Sequence, residues 1–155
     1  MKPDLNQPAV LLFRGRGAIS AAIRWQTRSE YSHAALMMPG GKIIESWQGA
    51  GVRTKMPTDW DGIDFFGVFG MDEDEWRQAF DFALAQVGQG YDYRGVLRFV
   101  SRRETPENGR WFCSELVFAA IQHAGVDLLS RVPAANVSPG MLALSPLLVR
   151  REVAG

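Results

Sequence analysis

One cysteine and two histidines are all that 155 residues offer for thiol and imidazole chemistry. With Cys113 alone there can be no internal disulfide, so the fold does not rely on oxidation. The three residues fall short of the four Cys or His ligands a structural zinc site takes, and no metal or organic cofactor is implied. Net charge is missing as well. Lys+Arg and Asp+Glu stand at 17 each, which gives no reason to expect a nucleic-acid partner. No apolar run approaches the ~18 residues that a membrane-spanning helix needs. The N-terminus MKPDLNQPAVLLFRGRG has a short apolar run, Ala9 to Phe13, behind Asp4 and two prolines. That makes a poor signal peptide, so the chain as encoded is expected in the cytoplasm unless another route exports it. There is no repeat, low-complexity tract or linker. The composition, 46% hydrophobic and 22% charged, suits a single globular domain over residues 1–155.

What is present divides into strands and helices by period. AVLLF (Ala9–Phe13), followed by Gly15 and Gly17, reads as a buried strand. AISAAIRWQTR (Ala18–Arg28) sets Ile19, Ala22, Ile23 and Gln26 at helical spacing. SHAALMM, then PGG, then KIIESW reads as a β-hairpin. GVRTKM and IDFFGVFG are further strand candidates. MDEDEWRQAFDFALAQVGQG changes period, with Trp76, Ala79, Phe80, Ala83, Leu84 and Val87 as its stripe. Asp72 to Glu75 crowd its first turn, where the helix dipole favours acid, and Gly88 and Gly90 end it. YDYRGVLRFVSRR predicts a shorter helix. CSELVFAAIQHAG predicts a helix with Leu116, Val117, Ala120 and Ile121 as its stripe and Gly125 as its stop. In VSPGMLAL, Ser138 is a cap and Pro139 takes the first helical position. LLVRREV can close the sheet. Partly segregated strands and helices predict an α+β domain with an antiparallel sheet.

The question is whether Cys113 is core filler or chemistry. A lone cysteine beside Phe112 fits a core. The other possibility rests on position. Cys113 opens a helix, and helix N-termini favour a thiolate. Such a thiolate needs a base, usually His. His123 lies on the same helix, roughly 15 Å away by helical rise. It cannot reach, and it reads as a surface residue. His33 is then the sole candidate. A catalytic His commonly needs a third group to orient it. If MPG is a three-residue hairpin loop, Met37 faces Gly41 and His33 directly faces Glu45, on one face of the sheet. A two-residue loop, Pro39-Gly40, would pair Ala34 with Glu45 and part the two side chains. The paired arrangement also predicts a positive φ at Gly40 or Gly41.

YSHAALM, then KIIESWQGAGV, and much later WFCSELVFAAI, resemble the circularly permuted branch of the NlpC-type papain-like superfamily. The flavour is YiiX-like, related to lecithin retinol acyltransferase. In that branch the His and the polar residue precede the Cys helix, as here. FRGRGAISAAIRWQTRSEYSHAAL, GQGYDY and VSPGML extend the similarity over roughly Phe13 to Leu142. The N-terminus departs from relatives that carry a secretion signal for cell-wall work.

The resemblance implies a permuted papain-like fold, with an antiparallel sheet or partial barrel packed on helices and the cysteine at the start of a late helix. It implies a Cys113 nucleophile, a His33 general base and a Glu45 orienting group. The thiolate would attack an acyl carbon, and His33 would activate water or another acceptor to release the acyl-enzyme. The Cys113 backbone N–H is an oxyanion donor in this scheme. Tyr31, expected on the same strand face as His33, is a candidate second donor or substrate contact. Trp111 is a candidate cleft wall. Glu115 reads as structural, capping the helix or pairing with an arginine. Arg98, Arg102, Arg103 and Arg110 form either a solvated face or a rim for anionic substrate.

Three functions follow. One is a cysteine amidase or peptidase-like hydrolase acting on an amide such as a cell-wall peptide. Another is a thiol acyltransferase or lipase-like enzyme acting on lipid esters. The third is a catalytically silent module of the same fold. A narrow polar cleft favours peptide, a large apolar groove favours lipid, and a buried, unreactive Cys113 favours silence.

Overall fold

The computed structural model describes residues 3–91 and 111–152. Six strands form one antiparallel sheet: β1 (Ala9–Phe13), β2 (His33–Met37), β3 (Ile43–Trp47), β4 (Gly51–Lys55), β5 (Ile63–Val68) and β6 (Leu148–Arg151). Their order across the sheet is β4-β3-β2-β1-β5-β6. β1 lies in the middle, between β2 and β5. That placement explains its run of apolar residues without alternation, since both of its faces are covered. Val10 and Leu12 join one apolar cluster, Ala9 and Leu11 the other.

The helices are α1 (Ala18–Thr27), α2 (Glu73–Ala85), α3 (Cys113–His123) and the short α4 (Pro139–Leu142). Asp72 caps α2 by accepting from Glu75 N–H at 2.8 Å, and Glu75 accepts from Asp72 N–H at 2.8 Å in return. Ser138 caps α4 by accepting from Met141 N–H at 3.2 Å. α2 and α3 bury Trp76, Ala79, Leu116, Val117, Phe118 and Ile121 against Leu12, Ala34, Leu36 and Ile44 of the sheet.

Three helical stripes differ from expectation. On α2, Leu84 is 39% exposed, and Val87 beyond its end is 46% exposed, so the buried stripe stops at Ala83. On α1, Ala22 is exposed and Ile23 alone of the predicted stripe is recorded as buried among the described side chains. On α3 the buried surface is wider than a stripe and takes in Phe118 and Glu115. A helix hydrophobic nearly all round is one covered nearly all round. The helix expected in YDYRGVLRFVSRR lies outside the described residues apart from Tyr91, which forms an isolated parallel bridge with Trp111. Arg98, Arg102, Arg103 and Arg110 also lie outside them.

The β2–β3 hairpin corrects the predicted register. Leu36 pairs with Ile44 and Met37 with Ile43, and Met38 N–H donates to the Lys42 carbonyl at 2.9 Å. The loop therefore has three residues, as expected, but they are Pro39, Gly40 and Gly41. Gly41 N–H closes the turn on the Met38 carbonyl at 3.0 Å. Proline is favoured at the second position of such a turn, and a positive φ at the third suits glycine. Gly40 has φ 99° and Gly41 φ 88°. Sliding a three-residue loop by one position moves each pairing by two residues. Every side chain keeps its face, and His33 no longer stands opposite Glu45.

Candidate active site

His33 opens β2, and alternation puts it on the same face as Ala35 and Met37. Ile43 and Glu45 of β3 share that face, where Ala35, Met37 and Ile43 form one cluster. Glu45 is thus a diagonal neighbour of His33, within reach of long side chains. His33 Nε2–H donates to Glu45 Oε2 at 2.9 Å. The imidazole is walled on both sides by rings from the adjoining strands. Phe13, its β1 partner, lies at 4.9 Å between centroids, and Trp47 of β3 meets it edge-on at 5.1 Å.

Cys113 is the first residue of α3 and is 1% exposed. It groups with Ile23, Tyr91 and Phe112 rather than with the main apolar clusters. The helix start is fixed from several directions. Glu115 accepts from the Phe112 N–H at 3.3 Å, Ser114 Oγ–H donates to the Val137 carbonyl at 2.5 Å, and Ser46 Oγ–H donates to the Trp111 carbonyl at 2.6 Å. The last of these ties β3, the strand of Glu45, to the turn that presents Cys113. The Cys113 N–H belongs to the first helical turn, whose amides have no acceptor within the helix.

The three groups act on one another. Burial of the His33 ring by itself favours the neutral form. The Cys113 sulfur, as a charge and as a hydrogen-bond partner, and the bond and charge of Glu45 outweigh it, and the pKa is raised from 6.5 to about 9. Glu45 engages Nε2 of the ring. For Glu45, burial alone favours the protonated form. The hydrogen bond and charge of His33, followed by the charges of Arg53 and Lys55, hold its pKa below the usual carboxylate value.

The sign is that of a group whose folded pKa is raised. The stability it contributes is fully present below the ordinary His value of 6.5 and is lost as pH climbs through about 9. The His33 ring carbons are expected to titrate near 9 by NMR, and the midpoint is expected to fall when Cys113 is replaced by alanine. A midpoint that ignores the Cys113→Ala change would mean that the sulfur does not act on the ring.

The other two candidates are engaged elsewhere. Tyr31 precedes β2 and does not keep the alternation. It packs with the cluster on the opposite face, edge-on to Phe66. Its hydroxyl donates to Asp64 Oδ2 at 2.5 Å, and burial followed by that bond raises its pKa to about 12. Asp64 is also held by Arg14 and, at 2.8 Å, by Arg150. The expected shared face with His33 is therefore corrected. The Trp111 indole donates to Gln86 Oε1 at 3.2 Å and meets Phe82 edge-on, so it points to α2. His123 is exposed and lies against Phe82.

Sequence reasoning missed Trp47, Arg53, Ser46 and the Asp64 network. The cleft beside His33 is small, about 30 Å³, and is lined by Ser20, Ile23, Ser32, Ser46, Trp47 and Gln48 together with His33 and Tyr91. A cavity of about 500 Å³, lined by Pro39, Met71, Trp76, Phe80 and Arg151 among others, includes none of Cys113, His33 and Glu45.

No family model and no curated protein matches the chain. Among solved structures it is similar to the metalloprotein YiiX of Escherichia coli O157:H7, DUF1105, with a TM-score of 0.74 over 99% of each chain and 18% identity. The fold is YiiX-like. At that identity the likeness speaks for fold alone. That protein is described as a metalloprotein, but among the described residues here no three His, Cys, Asp or Glu side chains are grouped to hold a metal ion. No helix among the described residues is long and apolar enough to cross a membrane.

Proposed function

We propose that this chain is a permuted papain-like thiol hydrolase acting on an amide bond through Cys113, His33 and Glu45. The observation that carries this is the His33 ring, hydrogen-bonded to a buried carboxylate at 2.9 Å and acted on by the only cysteine, at a helix N-terminus. A thiol beside an imidazole with a raised pKa exists readily as a thiolate–imidazolium pair.

In the proposed reaction the sulfur attacks the carbonyl carbon, and the carbonyl π pair moves onto oxygen, facing the Cys113 N–H. Collapse of the tetrahedral adduct expels the amine, which takes the proton from His33. Neutral His33 then removes a proton from water, whose oxygen attacks the thioester. The carboxylic acid leaves, and the thiolate–imidazolium pair is restored. Glu45 stays ionised and keeps the ring in one orientation.

The hydroxyls of Ser20, Ser32 and Ser46 and the Gln48 amide beside His33 supply hydrogen-bonding groups for an amide or peptide, alongside Ile23, Trp47 and Tyr91, and that supports the amide reading. The test is trapping. A panel of short peptide p-nitroanilides is incubated with the protein, quenched in acid and analysed by mass. An acyl adduct on Cys113, with release of p-nitroaniline that Cys113→Ala abolishes, is the expected result. Fatty-acid release from phosphatidylcholine vesicles without anilide cleavage would move the assignment to lipid esters. No adduct from either series would leave a silent module.

A further inference from the structure

The face that carries His33 and Glu45 holds another charged side chain. Arg53 of β4 stands directly opposite Glu45 in the β3–β4 ladder. Its Nη2 lies 3.5 Å from Glu45 Oε1, the carboxylate oxygen that His33 does not use. Its guanidinium carbon lies 5.1 Å from the centre of the Trp47 ring, and Trp47 meets His33 edge-on at 5.1 Å. One side chain therefore touches both the carboxylate and the indole that fix the imidazole.

The remaining contacts of Arg53 do not account for its position. Its Nε is buried without a hydrogen-bond partner among the described residues. A buried donor without a partner has given up its bond to water with none in return, so the guanidinium is held there against its own hydration. What offsets that cost is the stack on Trp47 and the charge of Glu45. A carboxylate as buried as Glu45 is far less screened than one in an exposed ion pair. The charged groups that face Glu45 are His33 from β2 and Arg53 and Lys55 from β4.

We infer that Arg53 is a positioning residue of this site, fixing the Glu45 carboxylate and the Trp47 indole in the arrangement that orients His33. This rests on the thiol hydrolase assignment.

The test has two readouts, the Glu45 carboxyl titration by carbon-13 NMR and the rate of Cys113 alkylation by iodoacetamide at pH 7. In Arg53→Ala the Glu45 midpoint is expected to rise by about half a unit. Alkylation is expected to slow about threefold, the same free energy read as a rate. Arg53→Lys keeps the charge and loses the planar stack, so it is expected to restore the midpoint while leaving alkylation below wild type. If either readout is unchanged in Arg53→Ala, the inference is overturned. A midpoint displaced equally in both variants would point to disturbed folding and overturn it too. His33→Ala separates the two levels. If that variant alkylates as fast as wild type, the thiol assignment itself fails. If it is slow while Arg53→Ala is normal, only the role of Arg53 fails.

Discussion

Replacing His33 by alanine is expected to slow alkylation of Cys113 by iodoacetamide at pH 7 by about a hundredfold, the lower end of what a positioned acid or base contributes. With one cysteine in the chain, a single added mass reports the site without ambiguity. The size follows from what the ring does. The Cys113 sulfur and Glu45 together raise its pKa to about 9, so at pH 7 the ring offers a positive charge to the sulfur. Alanine removes the charge and the hydrogen bond together. Glu45→Gln keeps the shape but not the charge, so it is expected to slow labelling less. Cys113 is buried, so wild type and variants share whatever opening admits the reagent, and the ratio of rates isolates His33. His33→Gln serves as a second variant, with circular dichroism to check folding. Slow labelling in wild type, unchanged in both variants, would make Cys113 a core residue.

The second large effect is on stability. Phe118→Ala is expected to cost about 3–5 kcal/mol, the range for a fully buried aromatic ring. For a chain of this size that lowers the melting temperature by roughly 10 °C. Phe118 is 0% exposed in the cluster that joins α3 to the sheet. Urea or thermal melts followed by circular dichroism check it. A loss under about 1 kcal/mol would mean that the helix is not tightly packed there.

Phe118 also marks a limit of the sequence. Its neighbours Leu116, Val117, Ala120 and Ile121 were legible as a stripe, because one face of a helix repeats at 3.6 residues. Phe118 lies off that stripe. Only the layers around α3 make it core. The strands were legible for a similar reason: AVLLF and the PGG turn carry their geometry in local residue types. So was the parity that puts His33 and Glu45 on one face, since any three-residue loop preserves it. The pairing itself was not legible. MPG and PGG are equally long loops, and proline at the second turn position decides for the latter.

Tyr31 does not share the face of His33, because it precedes the strand's first residue and alternation does not extend past it. Asp64, Arg14 and Arg150 come from distant parts of the chain, and no short-range signal joins them. Arg53 could have been found. Reading ESW-QGA-GVR as a second three-residue hairpin, with Gly49 at φ 83°, sets Glu45 opposite Arg53.

The order of the strands has a bearing on self-association. β4 and β6 end the sheet, and within it each has a strand partner on one side only. An outer strand is a template on which a second copy can add, but the outer edge of β4 is already engaged: Val52 N–H donates to the Gln89 carbonyl at 2.8 Å, and the Val52 carbonyl accepts from Gly88 N–H at 2.9 Å. This chain has no net charge to keep copies apart at long range. Both outer strands are short and carry pairs of cations, Arg53 and Lys55 on one and Arg150 and Arg151 on the other. The arginines are not free charges: Arg53 lies against Glu45, Arg150 donates to Asp64 at 2.8 Å, and Arg151 donates to the Pro8 carbonyl at 2.8 Å. The guard against fibre-like stacking is therefore built into the chain itself, as backbone pairing along β4 and a short β6 whose arginines are already partnered, and screening by salt leaves it in place.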